Sequence, residues 1–144
     1  AAQFFQEHAN ESDVPALVAR LKEQKVRIPG YGHKILSRDP RSEALFALAK
    51  ETGFYGRHSR LAEALHGELN KVSSKSLPIN VDGAMGAIIS DMGFDWRLAK
   101  GFFIIGRVPG LIAHIYEELT SDNGLRRLAE EEAEYVGVGE RKLV

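Results

Sequence analysis

The 144-residue chain contains no cysteine. This absence excludes a disulfide-stapled scaffold, a thiolate nucleophile and a cysteine-ligated metal site. It also fits a reducing compartment, so we expect a cytoplasmic protein. Hydrophobic residues nevertheless make up 44% of the chain, which is enough to build the core of one domain. The composition therefore predicts a globular protein.

An excess of charge of one sign is missing too, because 19 Lys and Arg stand against 20 Asp and Glu. Nucleic acids and anionic membranes recruit proteins through basic surfaces, so we expect neither as a partner. We find no apolar run near the roughly 20 residues of a membrane span and no signal peptide, and we expect a soluble protein. The chain starts inside a helical pattern at Ala1–Gln6 without an initiator Met, which favours a fragment.

A strand-like alternation of apolar and polar residues is the last absence, and it indicates an all-α fold. Apolar residues recur instead at helical spacing. The segments with this spacing are Val14–Leu21, Leu45–Ala49, Leu61–Val72, Met85–Met92 and Asp95–Leu119. The stripe that we expect to be buried in the fourth segment consists of Met85, Ile88, Ile89 and Met92. The other side carries Gly83, Ala84, Gly86 and Ala87 and is thin enough for close packing.

The segments between these helices are predicted from their composition. Two stretches with glycine, proline and serine, 25–39 and 72–81, are predicted to be loops. Pro109 is expected to break or kink the last long helix, because proline lacks an N–H and its ring clashes with the preceding turn. A final short helix at Leu125–Glu134 and an irregular tail at Tyr135–Val144 are also predicted.

The first candidate for chemistry is the loop Pro29-Gly30-Tyr31-Gly32-His33. Its two glycines permit a backbone path and a close ligand approach that side chains would block. A histidine held there can exchange protons near neutral pH. An ordinary surface turn with an incidental histidine fits the same residues, so the loop alone leaves both interpretations open.

The second candidate is Asp82, at the start of a predicted helix in Asn80-Val81-Asp82-Gly83. It is either the N-cap of that helix or an acid/base group. Apolar neighbours such as Val81 and Met85 favour its burial, which would shift its pKa.

Two arginines are candidate anion ligands. Arg107 is the only charge in an apolar stretch, so it either snorkels at a helix end or binds an anion such as a carboxylate or phosphate. The break expected at Pro109 would add backbone amides to the same anion site. Arg41 follows Asp39-Pro40 at a helix start, where an exposed arginine without a ligand is the alternative.

Taken together, these motifs resemble the citrate synthase superfamily. Its pattern runs Pro-Gly-Tyr/Phe-Gly-His, then Asp-Pro-Arg, then Asn-Val-Asp, then an apolar Gly/Ser-Arg turn, and the motifs occur here in that order between positions 27 and 118. The resemblance implies a citrate synthase-like helical fold, of which this chain is the C-terminal part including the small domain. Residues 12–80 would form the CoA-side small domain, and 81–144 would return to large-domain helices and the C-terminal tail.

Within the superfamily, residues 79–87 are more similar to citryl-CoA lyases, including the lyase module of ATP citrate lyase, than to citrate synthases. Synthases usually follow Asn-Val-Asp with an aromatic stretch. They also carry an Arg-Pro-Arg/Lys element before a Tyr-Thr/Val-Gly, which supplies a carboxylate-binding arginine to the neighbouring subunit. Here Tyr135-Val136-Gly137 follows an acidic segment, 130–134. Acidic groups cannot clamp a carboxylate, so this departure favours a lyase.

The family's other catalytic histidine, in a Leu-His-Gly-like element upstream of the glycine loop, is not in this chain. Leu65-His66-Gly67 imitates it but stands downstream of the loop. We therefore interpret His66 as a helix histidine without a special role, and we expect the isolated chain to be inactive.

The resemblance implies reversible cleavage of citryl-CoA into acetyl-CoA and oxaloacetate. His33 would contact the C3 hydroxyl and help remove its proton, and Asp82 would protonate the released acetyl-CoA enol or enolate. Arg41 and Arg107 would hold carboxylates of the oxaloacetate portion. The histidine outside this chain would stabilise the thioester oxygen.

A coenzyme A thioester would be the substrate, and no metal or redox cofactor is implied. Gly30, Tyr31 and Gly32 would lie against the adenine, and Lys34 or Lys75 would meet phosphates. Family members share active sites between subunits, so a homo-oligomer, a dimer, is expected. Two alternatives stay open, which are a citrate or 2-methylcitrate synthase and a noncatalytic CoA-binding or oligomerisation domain.

Overall fold

The structure is a computed structural model that describes residues 1–121 together with Ala129, Glu131, Glu134 and Gly139. Within these residues the chain is helical and contains no strand, which confirms the predicted fold class. The elements are α1 Ala2–Glu7, α2 Val14–Glu23, α3 Pro40–Glu51, α4 Arg57–Val72, α5 Val81–Asp91, a 3₁₀ turn Trp96–Leu98, and α6 Ala99–Ser121. By its internal contacts the chain divides into two compact parts, Ala1–Gly106 and Arg107–Val144.

The core of the first part lies among helices α1 to α5. Phe5, Leu17 and Leu65 are fully buried at its centre. Burying a side chain of this size contributes about 1.5–3 kcal/mol relative to leaving it in water. The start of α2 is fixed by Asp13, whose carboxylate accepts a hydrogen bond from Ala16 N at 2.9 Å. The helical spacing found in the sequence is thus the spacing of residues that face this core.

Helix α5 packs through its small residues. Gly83, Ala84, Gly86 and Ala87 are buried, which confirms the expected close packing of this side. Met92 is exposed, so the expected stripe of large residues is only partly right. A Cβ added to Gly86 would lie 2.7 Å from the backbone nitrogen of Ala2. Close approach of neighbouring helices, which needs small residues, therefore decides which face of α5 is buried.

The start of α4 is capped from another helix. Asp91, at the end of α5, accepts hydrogen bonds of 2.9 Å from the backbone amides of Gly56, His58 and Ser59. Its Oδ1 also lies 2.8 Å from Nδ1 of the buried His58. Gly56 has no side chain that could supply this cap, so Asp91 satisfies the amides that a helix start leaves without partners.

Helix α6 runs from Ala99 to Ser121 with Pro109 inside it, so the break predicted there is wrong, and the kink stays a prediction. Proline fixes φ near a helical value, so the lost backbone hydrogen bond and the clash of its ring distort a helix without having to end it. The remaining bonds of a 23-residue helix keep the segment helical. Arg107 therefore lies within a helix rather than beside a helix end.

The same helix changes one expectation about membranes. By length and composition alone, Trp96–Thr120 is apolar and long enough to cross a bilayer, and it is the one such helix among the described residues. The expectation that no segment reaches this length is therefore wrong. Long apolar helices also occur in proteins that never enter a membrane, so this pattern by itself is weak evidence for a span.

The loops predicted at 25–39 and 72–81 are confirmed, since residues 24–39 and 73–80 separate helices here. The helix predicted at Leu125–Glu134 and the tail at Tyr135–Val144 lie outside the described residues, apart from single positions.

Candidate active site

The glycine loop has the special backbone that its sequence predicts. Gly30 has φ +95° and Gly32 has φ +87°, values that side-chain-bearing residues rarely adopt. A Cβ on Gly30 would lie 2.7 Å from the Cα of Gly83. Both glycines are thus required by the local geometry, and Gly30 also by the close approach of the loop to α5.

Backbone hydrogen bonds join the glycine loop to the segment before α5. Gly32 N donates to Pro78 O at 2.8 Å, and Asn80 N donates to Gly30 O at 3.0 Å. The Asn80 side chain adds a bond from Nδ2 to Gly32 O at 3.0 Å. His33 follows this junction by one residue and Asp82 by two, so the fold brings the two candidate catalytic residues into one region.

Asn80, not Asp82, caps α5. Asn80 Oδ1 accepts a hydrogen bond from Gly83 N at 3.1 Å, so the capping alternative for Asp82 is wrong. Asp82 lies in the first helical turn, where the helix dipole favours a negative charge. It is exposed rather than buried, and it lines a cleft of about 350 Å³ together with Met85, Lys100 and Phe103. Its carboxylate is therefore available to a ligand in this chain.

The imidazole of His33 is oriented by its own loop. Nδ1 accepts hydrogen bonds from Ile35 N at 3.2 Å and from Leu36 N at 3.0 Å. A ring nitrogen that accepts carries no proton, so the proton of the neutral ring is on Nε2. The side chain is exposed, and Nε2 is the atom that can donate to a substrate oxygen.

Arg41 is held by Asp39 in a two-bond fork. Nε lies 2.9 Å from Asp39 Oδ1, and Nη2 lies 2.8 Å from Oδ2. These bonds raise the pKa of Arg41, burial opposes them, and the negative charges of Asp39 and Asp82 raise it further. Arg41 is half exposed, so a guanidinium that is fixed on one edge still presents donors to solvent near Asp82.

Arg107 lies in the second compact part of the chain, exposed on α6. Its role at the site of His33, Arg41 and Asp82 stays a prediction.

The candidate CoA contacts differ in exposure. Tyr31 is buried, and its hydroxyl donates to Ala62 O at 2.9 Å, while burial raises its pKa well above the ordinary value. It anchors the loop. Lys34 and Lys75 are exposed. An apolar cleft of about 400 Å³ lies beside Tyr31, and Lys22 and Arg27 line it. These two cations could not be found from the sequence, because nothing in the chain pattern joins α2 to residues 69–77.

His66 is partly buried and lines a third cleft of about 690 Å³ on the side of α3 and α4, together with Asp39, Ser42 and Asn70. The interpretation of His66 as a residue without a special role stays a prediction. Among the described residues, no group of three His, Asp or Glu side chains is placed to hold a metal ion.

Comparison with known proteins agrees with the site motifs. Residues 1–129 match the family described as citrate synthase, C-terminal domain. The solved structure of citryl-CoA lyase from Hydrogenobacter thermophilus is 48% identical, covers 99% of this chain and has a TM-score of 0.78. Citrate synthase 2 of Bacillus subtilis is 32% identical over 93% of the chain. The 2-methylcitrate synthase of Shewanella oneidensis is 31% identical over 100% of it.

The chain is shorter than these relatives. It spans 57% of the lyase chain, 35% of the Bacillus synthase and 38% of the Shewanella enzyme. The match nevertheless includes the glycine loop, the Asp39–Arg41 turn and the start of α5. The chain therefore belongs to the citrate synthase family and corresponds to its C-terminal domain.

Proposed function

We propose that this chain carries part of the active site of a citryl-CoA lyase, which cleaves citryl-CoA to acetyl-CoA and oxaloacetate. The observation that carries the proposal is the hydrogen-bonded junction of the glycine loop, the Asp39–Arg41 turn and the start of α5. The 48% identity to a solved citryl-CoA lyase supports the lyase over the other reactions of the family.

In this proposal His33 acts on the C3 oxygen through Nε2. In the direction of synthesis, Nε2–H donates to the carbonyl oxygen of oxaloacetate, as a neutral histidine does in other enzymes. In cleavage the same atom receives the hydroxyl proton, by microscopic reversibility, so cleavage starts from the ring without its Nε2 proton, which is the form that synthesis leaves. The two amides on Nδ1 stabilise the ring after it has given up the Nε2 proton.

Asp82 transfers the second proton of the reaction. As the C–C bond breaks, the electron pair of that bond remains on the acetyl-CoA carbon, and the protonated Asp82 delivers a proton to that enol or enolate. Arg41 binds a carboxylate of the oxaloacetate portion with the donors that Asp39 does not occupy, and Arg107 is proposed as a second carboxylate ligand. A histidine outside this chain is proposed to stabilise the thioester oxygen, so the isolated chain is expected not to turn over.

The CoA portion is proposed to lie along the glycine loop and the apolar cleft beside Tyr31. The exposed Lys34 and Lys75 remain proposed phosphate contacts, and the cations that line the cleft, Lys22 and Arg27, join them. Exposed lysine and arginine side chains suit phosphate binding, because neither the cation nor the phosphate is then buried without an opposite charge.

A citrate or 2-methylcitrate synthase is the second candidate, supported by the two curated synthases that resemble most of this chain. The two candidates differ in the favoured direction. The complete protein is incubated either with citryl-CoA or with acetyl-CoA and oxaloacetate, and the initial rates are compared. Faster cleavage supports the lyase, and faster condensation overturns it in favour of a synthase.

A noncatalytic CoA-binding or oligomerisation domain is the third candidate, and substitution of Asp82 tests it. Asp82→Asn in the complete protein is expected to lower citryl-CoA cleavage by at least ~100-fold, the usual effect of losing a general acid/base. Asp95→Asn serves as the control, since Asp95 is also an exposed aspartate at a helix start. Unchanged turnover in Asp82→Asn contradicts the catalytic role.

We also propose that the complete protein is a homo-oligomer, a dimer. A cytoplasmic location is proposed with it, because this chain contains no cysteine. The support for the dimer is α6, whose exposed large apolar residues are Ile104, Ile105, Val108, Leu111, Ile112, Ile115, Tyr116 and Leu119. A contiguous apolar surface of this kind is usually covered by another polypeptide segment. Light scattering of the complete protein tests this, and a monomeric mass at micromolar concentration contradicts it.

A further inference from the structure

Asp39 is a buried carboxylate within the proposed site. Its side chain has no exposed surface, although it carries a charge. Burial of a charge is costly unless hydrogen bonds or an opposite charge compensate it. Asp39 has hydrogen bonds as well as an opposite charge, and the groups that provide them compensate the cost of its burial.

These groups belong to two different elements. On α3, Arg41 donates to Asp39 from its backbone nitrogen at 3.1 Å and from Nε and Nη2. On α5, Val81 N donates to Asp39 Oδ2 at 3.0 Å, from 42 residues further along the chain. One carboxylate thus bonds both the proposed substrate arginine and the helix turn that carries Asp82.

Asp95 provides an internal comparison. It too precedes a helical turn by one residue, accepts from the backbone nitrogen two residues on, and pairs with the side chain of Arg97 at 2.7 Å. Its side chain is 49% exposed, against 0% for Asp39. Burial and the bond to α5 are therefore not general properties of an Asp-x-Arg turn.

We propose that Asp39 is a positioning residue for the proposed reaction, which fixes the Arg41 guanidinium relative to the first turn of α5 and hence to Asp82. The inference rests on the proposed function. Two bonds to Asp39 leave the guanidinium little rotational freedom, so the carboxylate of the substrate meets donors that are already oriented. Loss of that orientation misplaces the substrate, which can cost ~100-fold in rate even when no substrate contact is deleted.

The test uses the complete protein with Asp39→Asn, Arg41→Gln, the double substitution, and Asp95→Asn as the matched control. Asp39→Asn keeps the shape of the side chain and removes its charge. We expect it to lower kcat/KM for citryl-CoA by ~100-fold and to weaken oxaloacetate binding in calorimetry by ~10-fold or more. Asp95→Asn is expected to change neither quantity.

The double substitution separates positioning from a structural role. If Asp39 acts through Arg41, the double variant binds oxaloacetate no more weakly than Arg41→Gln alone, because coupled residues are not additive. If the double variant instead loses as much oxaloacetate affinity as the two single variants together, the inference is overturned. If Asp39→Asn does not fold, as judged by circular dichroism, Asp39→Ser replaces it, since serine can still cap α3. Failure of both variants to fold makes Asp39 a folding residue and also overturns the inference.

The same assays separate this inference from the proposed function. Wild-type protein that neither cleaves citryl-CoA nor binds oxaloacetate overturns the proposed function, and the inference with it. An active wild-type protein whose Asp39→Asn and Asp95→Asn variants behave alike overturns the inference alone.

Discussion

Two turns of this chain, Asp39–Arg41 and Asp95–Arg97, have the same local chemistry and different surroundings. In each, an aspartate caps a helical turn and pairs with an arginine two residues on. Asp39 is buried and bonded to α5, whereas Asp95 lies in solvent. The difference shows that contacts distant in sequence, not the turn itself, make one of the two aspartate–arginine pairs part of a site.

The largest expected difference between the two turns is in the effect of replacing their arginines. Arg41→Gln is expected to lower kcat/KM for citryl-CoA by ~100- to 1,000-fold, because removing one partner of a close charge pair costs about 2–5 kcal/mol. Arg97→Gln, the equivalent change at the exposed turn, is expected to leave it unchanged. Steady-state assays of the two variants measure kcat/KM, and equal losses in both would show that the two turns do not differ in function.

A second comparison concerns two glycines, Gly83 in the first turn of α5 and Gly101 in the first turn of α6. Gly83→Ala is expected to destabilise the fold by about 1–3 kcal/mol, because its Cβ would lie 2.4 Å from Gly30 O. Gly101→Ala, in α6 beyond the Asp95–Arg97 turn, has nothing within 4 Å of the added Cβ. It is expected to stabilise the helix by about 0.5–1 kcal/mol. Urea unfolding gives the sign of the change in unfolding free energy for each variant. A Gly83→Ala protein as stable as the wild type contradicts the close contact between the glycine loop and α5.

The acid dependence of stability is the third test. Hydrogen bonds from Arg41 lower the pKa of Asp39, while burial opposes them. Burial raises the pKa of Asp91, but hydrogen bonds from Ser59, His58 and Gly56 outweigh it and lower the pKa overall.

The sign follows from proton binding. With an ordinary pKa of about 3.9, these groups bind protons more readily in the unfolded chain, so stability is present above about pH 4 and is lost as the pH falls through the folded-state pKa. Unfolding free energies of wild type and Asp39→Asn between pH 7 and pH 3 test this. The variant should lose less stability in acid than wild type, and an identical slope contradicts the assignment.

The smallest expected effect is on the exposed pair. Asp95→Asn is expected to change the free energy of unfolding by less than about 1 kcal/mol, since exposed ion pairs contribute little. A thermal scan measures it, and a loss as large as that of Asp39→Asn would mean that burial is not what separates the two turns.

The sequence predicts the parts of this site that depend on local chemistry. The glycines of the loop, the helix start at Asp39-Pro40 and the loop before α5 follow from residue types that strongly restrict or permit particular backbone conformations. The motifs around His33, Arg41 and Asp82 identified the candidate catalytic residues and the family. Each of these signals is contained in a few consecutive residues.

The parts that were missed depend on distant contacts. The burial of Asp39 comes from α5, and the capping by Asn80 depends on which of two polar residues the backbone turns toward the amides. The exposure of Met92, which was expected to be buried, likewise depends on how the neighbouring elements pack against α5. The break expected at Pro109 is wrong for another reason, since the residues on both sides of Pro109 belong to one helix.

The most direct test of the proposed site is a structure of the complete protein with bound oxaloacetate. We expect a carboxylate of oxaloacetate to contact Arg41 while the Arg41–Asp39 bonds persist, and His33 Nε2 to lie within hydrogen-bond distance of the carbonyl oxygen. Oxaloacetate bound away from both residues, or bound to an Arg41 that has left Asp39, would contradict this expectation.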